Sequence, residues 1–159
     1  MKRAIILAIP LMLASGTSFA SQSSGNGALA LAALVGTQSP ALGASEKMVL
    51  DRFLAGETNF TLPPGVHRIT VKADKIACRL GDVAIVVHSC VLTFGSSTVT
   101  EDGSRGQEML ATMMENGVSA DGAAGTIYYS VAPIVCTVDA AVVQSNGGGG
   151  ATCTYTNGP

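Results

Sequence analysis

Apolar side chains recur at helical spacing in two stretches of the chain. Val49, Leu50, Phe53 and Leu54 form one stripe, and Met109, Leu110, Met113 and Met114 form another, sixty positions further on. Spacing of i, i+1, i+4 and i+5 places each set on one face of a helix. The first helix is expected to start at Ser45, with Glu46 favourable in its first turn, and to end at Gly56. Ser104 with Gln107 makes a capping-box start for the second, which Asn116-Gly117 closes.

Between and after these helices the period changes to two. His67, Ile69, Val71 and Ala73 alternate with Arg68, Thr70 and Lys72, the pattern of a half-buried strand. Asp74-Lys75 interrupts it, residues 76–80 resume it, and Gly81-Asp82 reads as a two-residue hairpin turn into the β-branched run 83–94. In the second stretch, strands are expected over 126–131, 134–143 and 151–156, with a break at Ala132-Pro133 and a Gly-rich loop over 144–150. Both stretches therefore read as helix, strand, break, strand, strand. The expected fold class is α+β: two helices packed on an antiparallel sheet, within a single domain over 45–159. A tandem duplication of 45–94 and 104–156 would generate that arrangement.

The first 44 residues read differently. Lys2 and Arg3 precede the apolar run 4–13, and Ser18-Phe19-Ala20 supplies small residues before a cut, so residues 1–20 read as a signal peptide. The apolar run is too short to span a bilayer. Residues 21–44 are rich in Ser, Gly and Ala and carry no charge. They are expected to be a low-complexity flexible segment, disordered over 21–27, in which 28–35 is apolar enough to form a short docking helix.

The four cysteines, Cys78, Cys90, Cys136 and Cys153, all follow the expected cut. In an oxidising compartment an even count implies two disulfides. Pairing within each stretch, Cys78 with Cys90 and Cys136 with Cys153, is local and the same in both. A tight turn at Gly81-Asp82 would, however, set Cys78 opposite Ile85 and leave Cys90 further along. With no Cys-x-x-Cys and only His67 and His88, no metal site is expected.

Without Lys2 and Arg3 the chain holds seven Lys/Arg against eleven Asp/Glu. That balance disfavours nucleic acid as a partner. The charges are unevenly placed: Arg68, Lys72, Lys75 and Arg79 lie within twelve residues, and no Lys or Arg follows Arg105. These four form the candidate binding stripe, able to steer an anionic partner. Solubilisation of a strand edge is the plainer role for them.

Candidate chemistry beyond this is thin. Neither histidine sits in a G-x-S-x-G or H-E-x-x-H setting, Glu101-Asp102 and Asp121 lie in loops, and residues 147–150 lack the Lys-Ser/Thr of a phosphate cradle. No catalytic residue and no cofactor are assigned. Residues 125–140 (GTIYYSVAPIVCTVDA) resemble part of a fimbrial subunit. That resemblance implies a nearly all-β domain with a longer cysteine loop, whereas this chain carries two expected helices. The expected function is therefore that of an exported, disulfide-stabilised binding protein of inhibitor, immunity or accessory type. It would act in a bacterial periplasm or outside the cell on a protein or other anionic partner. A small extracytoplasmic hydrolase and a fimbria-like surface subunit are the alternatives.

Overall fold

A computed structural model describes residues 20–80, 87–115, 127–128, 133–146 and 149–156. Ala20 opens the first strand, whereas residues 1–19 of the expected signal peptide (1–20), the Gly81-Asp82 turn, the 116–117 helix end and Asp121 lie outside these residues. Among them the chain forms an α+β fold of four helices and two four-stranded antiparallel sheets. The strands are β1 (Ala20–Ser24), β2 (Arg68–Ala73), β3 (Lys75–Leu80), β4 (Val87–Phe94), β5 (Ser97–Asp102), β6 (Ile127–Tyr128), β7 (Ile134–Asp139) and β8 (Ala151–Thr156). The helices are α1 (Asn26–Gln38), α2 (Ala44–Leu54), α3 (Gly103–Glu115) and α4 (Ala140–Asn146). One sheet runs β1-β8-β7-β2 and the other β5-β4-β3-β6.

The α+β class and both disulfides agree with the sequence. Cys78 bonds Cys90 and Cys136 bonds Cys153, all four with no exposed surface. The strands divide into two sheets where one was expected, because β2 and β3 are separated by Asp74 alone. Burial alternates as Ile69, Val71, Ala73 and then as Ile76, Cys78. The single inserted residue therefore shifts the phase by one and turns the strand into a second sheet. The Cys78–Cys90 bridge is possible because Leu80 faces Val87, which makes the connection six residues long instead of two. A bulge between Arg79 and Leu80, with His88 as the extra residue on β4, then sets Cys78 directly opposite Cys90.

Residues 21–44 are not a flexible tail. Their first part forms β1, paired over five positions with β8, and α1 is a core helix. Ala28, Leu31, Ala32, Ala33, Leu34 and Val35 are buried, because α1 packs on the β7–β8 sheet on one side and on α2 and α3 on others. A helix enclosed this way gains from being apolar all round. Residues 140–143 also differ from expectation: they are helical, not a continuation of β7. The Asp139 carboxylate accepts the Val142 backbone N–H at 3.1 Å, which caps α4 and ends the strand. In α2 the stripe residues Val49, Leu50 and Phe53 are buried, and in α3 Met109, Leu110 and Met113 are, so these methionines fill the core. His67, expected in phase with Ile69, is exposed and precedes β2, while Val66 takes the buried position.

Candidate binding face

Among the described residues the helices cover one face of each sheet. The buried face carries Ile69, Val71, Val138, Cys136, Cys153 and Ala151 in the first sheet, and Ile76, Leu92 and the Cys78–Cys90 bridge in the second. The opposite face is built from the alternate residues. In the first sheet, Thr70, Thr137, Thr152 and Ser24 stand side by side in register across all four strands. Lys72, Val135 and Thr154 make the next row. In the second sheet the rows are Lys75-Thr93-Thr98, Ala77-Val91-Thr100 and Arg79-Ser89-Asp102. All of these side chains are exposed or half-buried. Adjacent strands lie about 4.8 Å apart, so within each sheet these rows bring hydroxyl-bearing side chains close together.

The four candidate cations lie on the edge strand of the first sheet and on an inner strand of the second. Arg68 and Lys72 lie on β2, Lys75 and Arg79 on β3, and all four are exposed. In an unbroken strand Arg68 and Lys72 would share one phase, and Lys75 and Arg79 the other. The insertion of Asp74 cancels that difference, so the four align on the uncovered face. At about 3.3 Å per residue, the stripe from residue 68 to 79 is roughly 36 Å long before bending.

Two of these cations have carboxylate partners that the sequence did not point out. Arg68 Nη2 lies 4.0 Å from Asp139 Oδ2, and Lys72 Nζ lies 3.6 Å from Asp74 Oδ1. The Arg68 side chain is 71% exposed and that of Lys72 57%. Pairs so exposed contribute about 0–1 kcal/mol, too little to lock either cation against exchange for another carboxylate. Arg79 faces Ser89 across the β3–β4 ladder, and Asp102 is one strand further.

Two concavities among the described residues lie away from this face. A shallow groove on the outer side of α2 is lined by Lys47, Met48, Asp51, Arg52 and Glu57. Three of its charged residues sit in surface pairs, Arg52 with Glu57 at 3.4 Å and Asp51 with Arg105 at 3.6 Å. A smaller cavity of about 220 Å³ between α1 and α2 is lined mainly by Leu29, Ala30, Phe53 and Leu54. Neither brings a histidine, cysteine or serine together with a carboxylate. Among the described residues no cluster of three His, Cys, Asp or Glu could hold a metal, and no helix is long and apolar enough to cross a membrane.

No known protein-family model matches this chain, and no curated protein or solved structure is detectably similar to it. The two buried disulfides are compatible with an oxidising, extracytoplasmic setting.

Proposed function

We propose that this is an exported binding protein that docks an acidic protein surface on its uncovered sheet face. The observation that carries the reading is the phase shift at Asp74, which turns Arg68, Lys72, Lys75 and Arg79 to one side. The formal charge of the whole chain is −2, so a row of cations on one face is a local feature and not a consequence of overall composition. Such a row accelerates encounter with an acidic partner and fixes its orientation, and its effect weakens as salt rises. The hydroxyl rows flanking it supply neutral hydrogen-bonding groups for a polar interface rim. Both local disulfides brace the hairpins on which these rows stand.

The test is capture from the extracytoplasmic fraction on immobilised wild-type protein and on the Lys72→Glu/Arg79→Glu variant. Both replaced residues are exposed, so the variant should melt with the wild type. A partner held by the wild type at low salt, released by raised salt and lost from the variant is the expected result. Equal retention of the same proteins by both forms would overturn the reading.

A further inference from the structure

Each sheet is assembled from both halves of the chain. The β3–β4 hairpin forms the centre of one sheet and receives its flanking strands, β5 and β6, from the second half. The β7–β8 hairpin forms the centre of the other and receives β1 and β2 from the first half. The helices cross over in the same way: α1 lies on β7 and β8, and α3 lies on β4.

This exchange obeys an internal correspondence. Ser23 of β1 faces Cys153, and Glu101 of β5 faces Cys90. Gly25 (φ 97°) and Gly103 (φ 56°) take the positive-φ position at the two strand-to-helix junctions. The sulfur of Cys153 lies 3.3 Å from the carbonyl oxygen of Ala28, and that of Cys90 lies 3.6 Å from the carbonyl oxygen of Gly106. In all three comparisons (23 with 101, 25 with 103, 28 with 106) the positions are seventy-eight apart. Both helices are 13 residues long, and Leu31, Ala32 and Val35 bury the same face of α1 that Met109, Leu110 and Met113 bury in α3. The counterpart of α3 is thus α1, whereas the offset of sixty in the sequence aligns α3 with α2. The α2 helix interrupts the first half only, which shortens the spacing further on. The bridges close over separations of 12 and 17 residues, the longer one accommodating α4.

We infer that the chain is two interlocked copies of one unit, and that each half is a binding partner for the other without covalent help. Four ladders join the halves: β1–β8, β2–β7, β3–β6 and β4–β5. Their covalent link is the two-residue turn Gly95-Ser96, and neither disulfide crosses it. Separated from its own complement, a half presents unpaired strand edges and an uncovered hairpin face. The surface that fits them is the other half, from the same chain or from a second copy of this chain. The turn serves as a tether that raises the local concentration of the complement.

The test is a full-length chain with a protease site inserted between Gly95 and Ser96, cut after folding. The cut protein is expected to elute at monomer size with unchanged circular dichroism, while a non-reducing denaturing gel shows two fragments. Its unfolding midpoint, unlike that of the uncut chain, should fall on tenfold dilution. Fragments that elute apart under native conditions would overturn the inference. Deletion of Gly95 and Ser96 is the second arm. It prevents β4 from pairing with its own β5, so a dimer of exchanged halves is expected. A monomer with the wild-type melting temperature would count against the interlocked reading.

Discussion

The Asp74 carboxylate accepts the backbone N–H of Gly95 at 2.5 Å, tying the junction between β2 and β3 to the turn between β4 and β5. The Asp74 N–H is itself bonded to the Thr93 carbonyl at 2.8 Å. One residue thus holds the phase shift at its backbone and braces the neighbouring turn with its side chain. Asp74→Ala removes the side-chain acceptor and should lower stability by about 1 kcal/mol, the value of one partly exposed hydrogen bond. Asp74→Asn keeps an acceptor and should stay close to wild type. Denaturant midpoints separate the two, and an alanine variant as stable as the wild type would refute the bracing role.

Asp139 carries two interactions of unequal weight. Its Oδ1 caps α4, and its Oδ2 is 4.0 Å from Arg68. A cap of this kind is worth about 1 kcal/mol, whereas an exposed ion pair at that distance is worth a few tenths. Asp139→Ala should therefore destabilise clearly, while Asp139→Asn, which can still cap, and Arg68→Ala should change little. If thermal melting shows Arg68→Ala to be as damaging as Asp139→Ala, the ion pair and not the cap is the main contribution.

The readable parts of the fold were those with a clean period. Ile69, Val71 and Ala73 alternate, and the α2 and α3 stripes repeat at helical spacing, so their buried faces follow from the sequence. The pairing of cysteines was legible because it is local and the same in both stretches, although the expected tight turn at Gly81-Asp82 argued against Cys78 meeting Cys90 and only the register resolves this. Segment 26–38 was half legible: residues 28–35 read as a short docking helix, but a helix enclosed by a sheet and two helices has no polar face to create a period, and the Ser-, Gly- and Ala-rich run 21–44 around it resembles a linker. At 140–143, Val142 and Val143 suggest a strand, and the only contrary sign is Asp139 as a cap. The candidate face was half legible. The four cations were visible, but their alignment depends on what Asp74 does to the phase, and the Thr70-Thr137-Thr152-Ser24 row exists only once register is known. The exchange of strands was hidden by the similarity in offset between α2 and α3.

Gly36 sits where α1, α2 and β2 meet. A Cβ at this position would overlap Leu50 Cδ1 and come within 2.9 Å of Val71 Cγ1. Alanine at a helix interior normally gains about 1 kcal/mol over glycine. Here both neighbours are core residues with at most 1% exposure, so neither can withdraw to solvent. Overpacking of this kind costs about 1–3 kcal/mol and should outweigh the propensity gain. Gly36→Ala is expected to melt below wild type, and a higher melting temperature would show that α1 can shift away from α2.

The two disulfides close short loops, with separations of 12 and 17 residues, in different sheets. Loop entropy assigns each about 3 kcal/mol. The bridges share no residue and lie in different halves, so their effects should add. Removing one pair as Cys136→Ala/Cys153→Ala should leave a folded protein with a clearly lower urea midpoint. Removing both forfeits about 6 kcal/mol, comparable with the whole stability of many domains, and should leave the chain largely unfolded at physiological temperature. Because all four sulfurs are buried, reductant should act on the native protein only as fast as the chain opens. Equilibrium unfolding of the two variants, with the rate of thiol release from the wild type, checks this. A cysteine-free chain that unfolds at the wild-type urea midpoint would show that the interlocked sheets alone hold the fold.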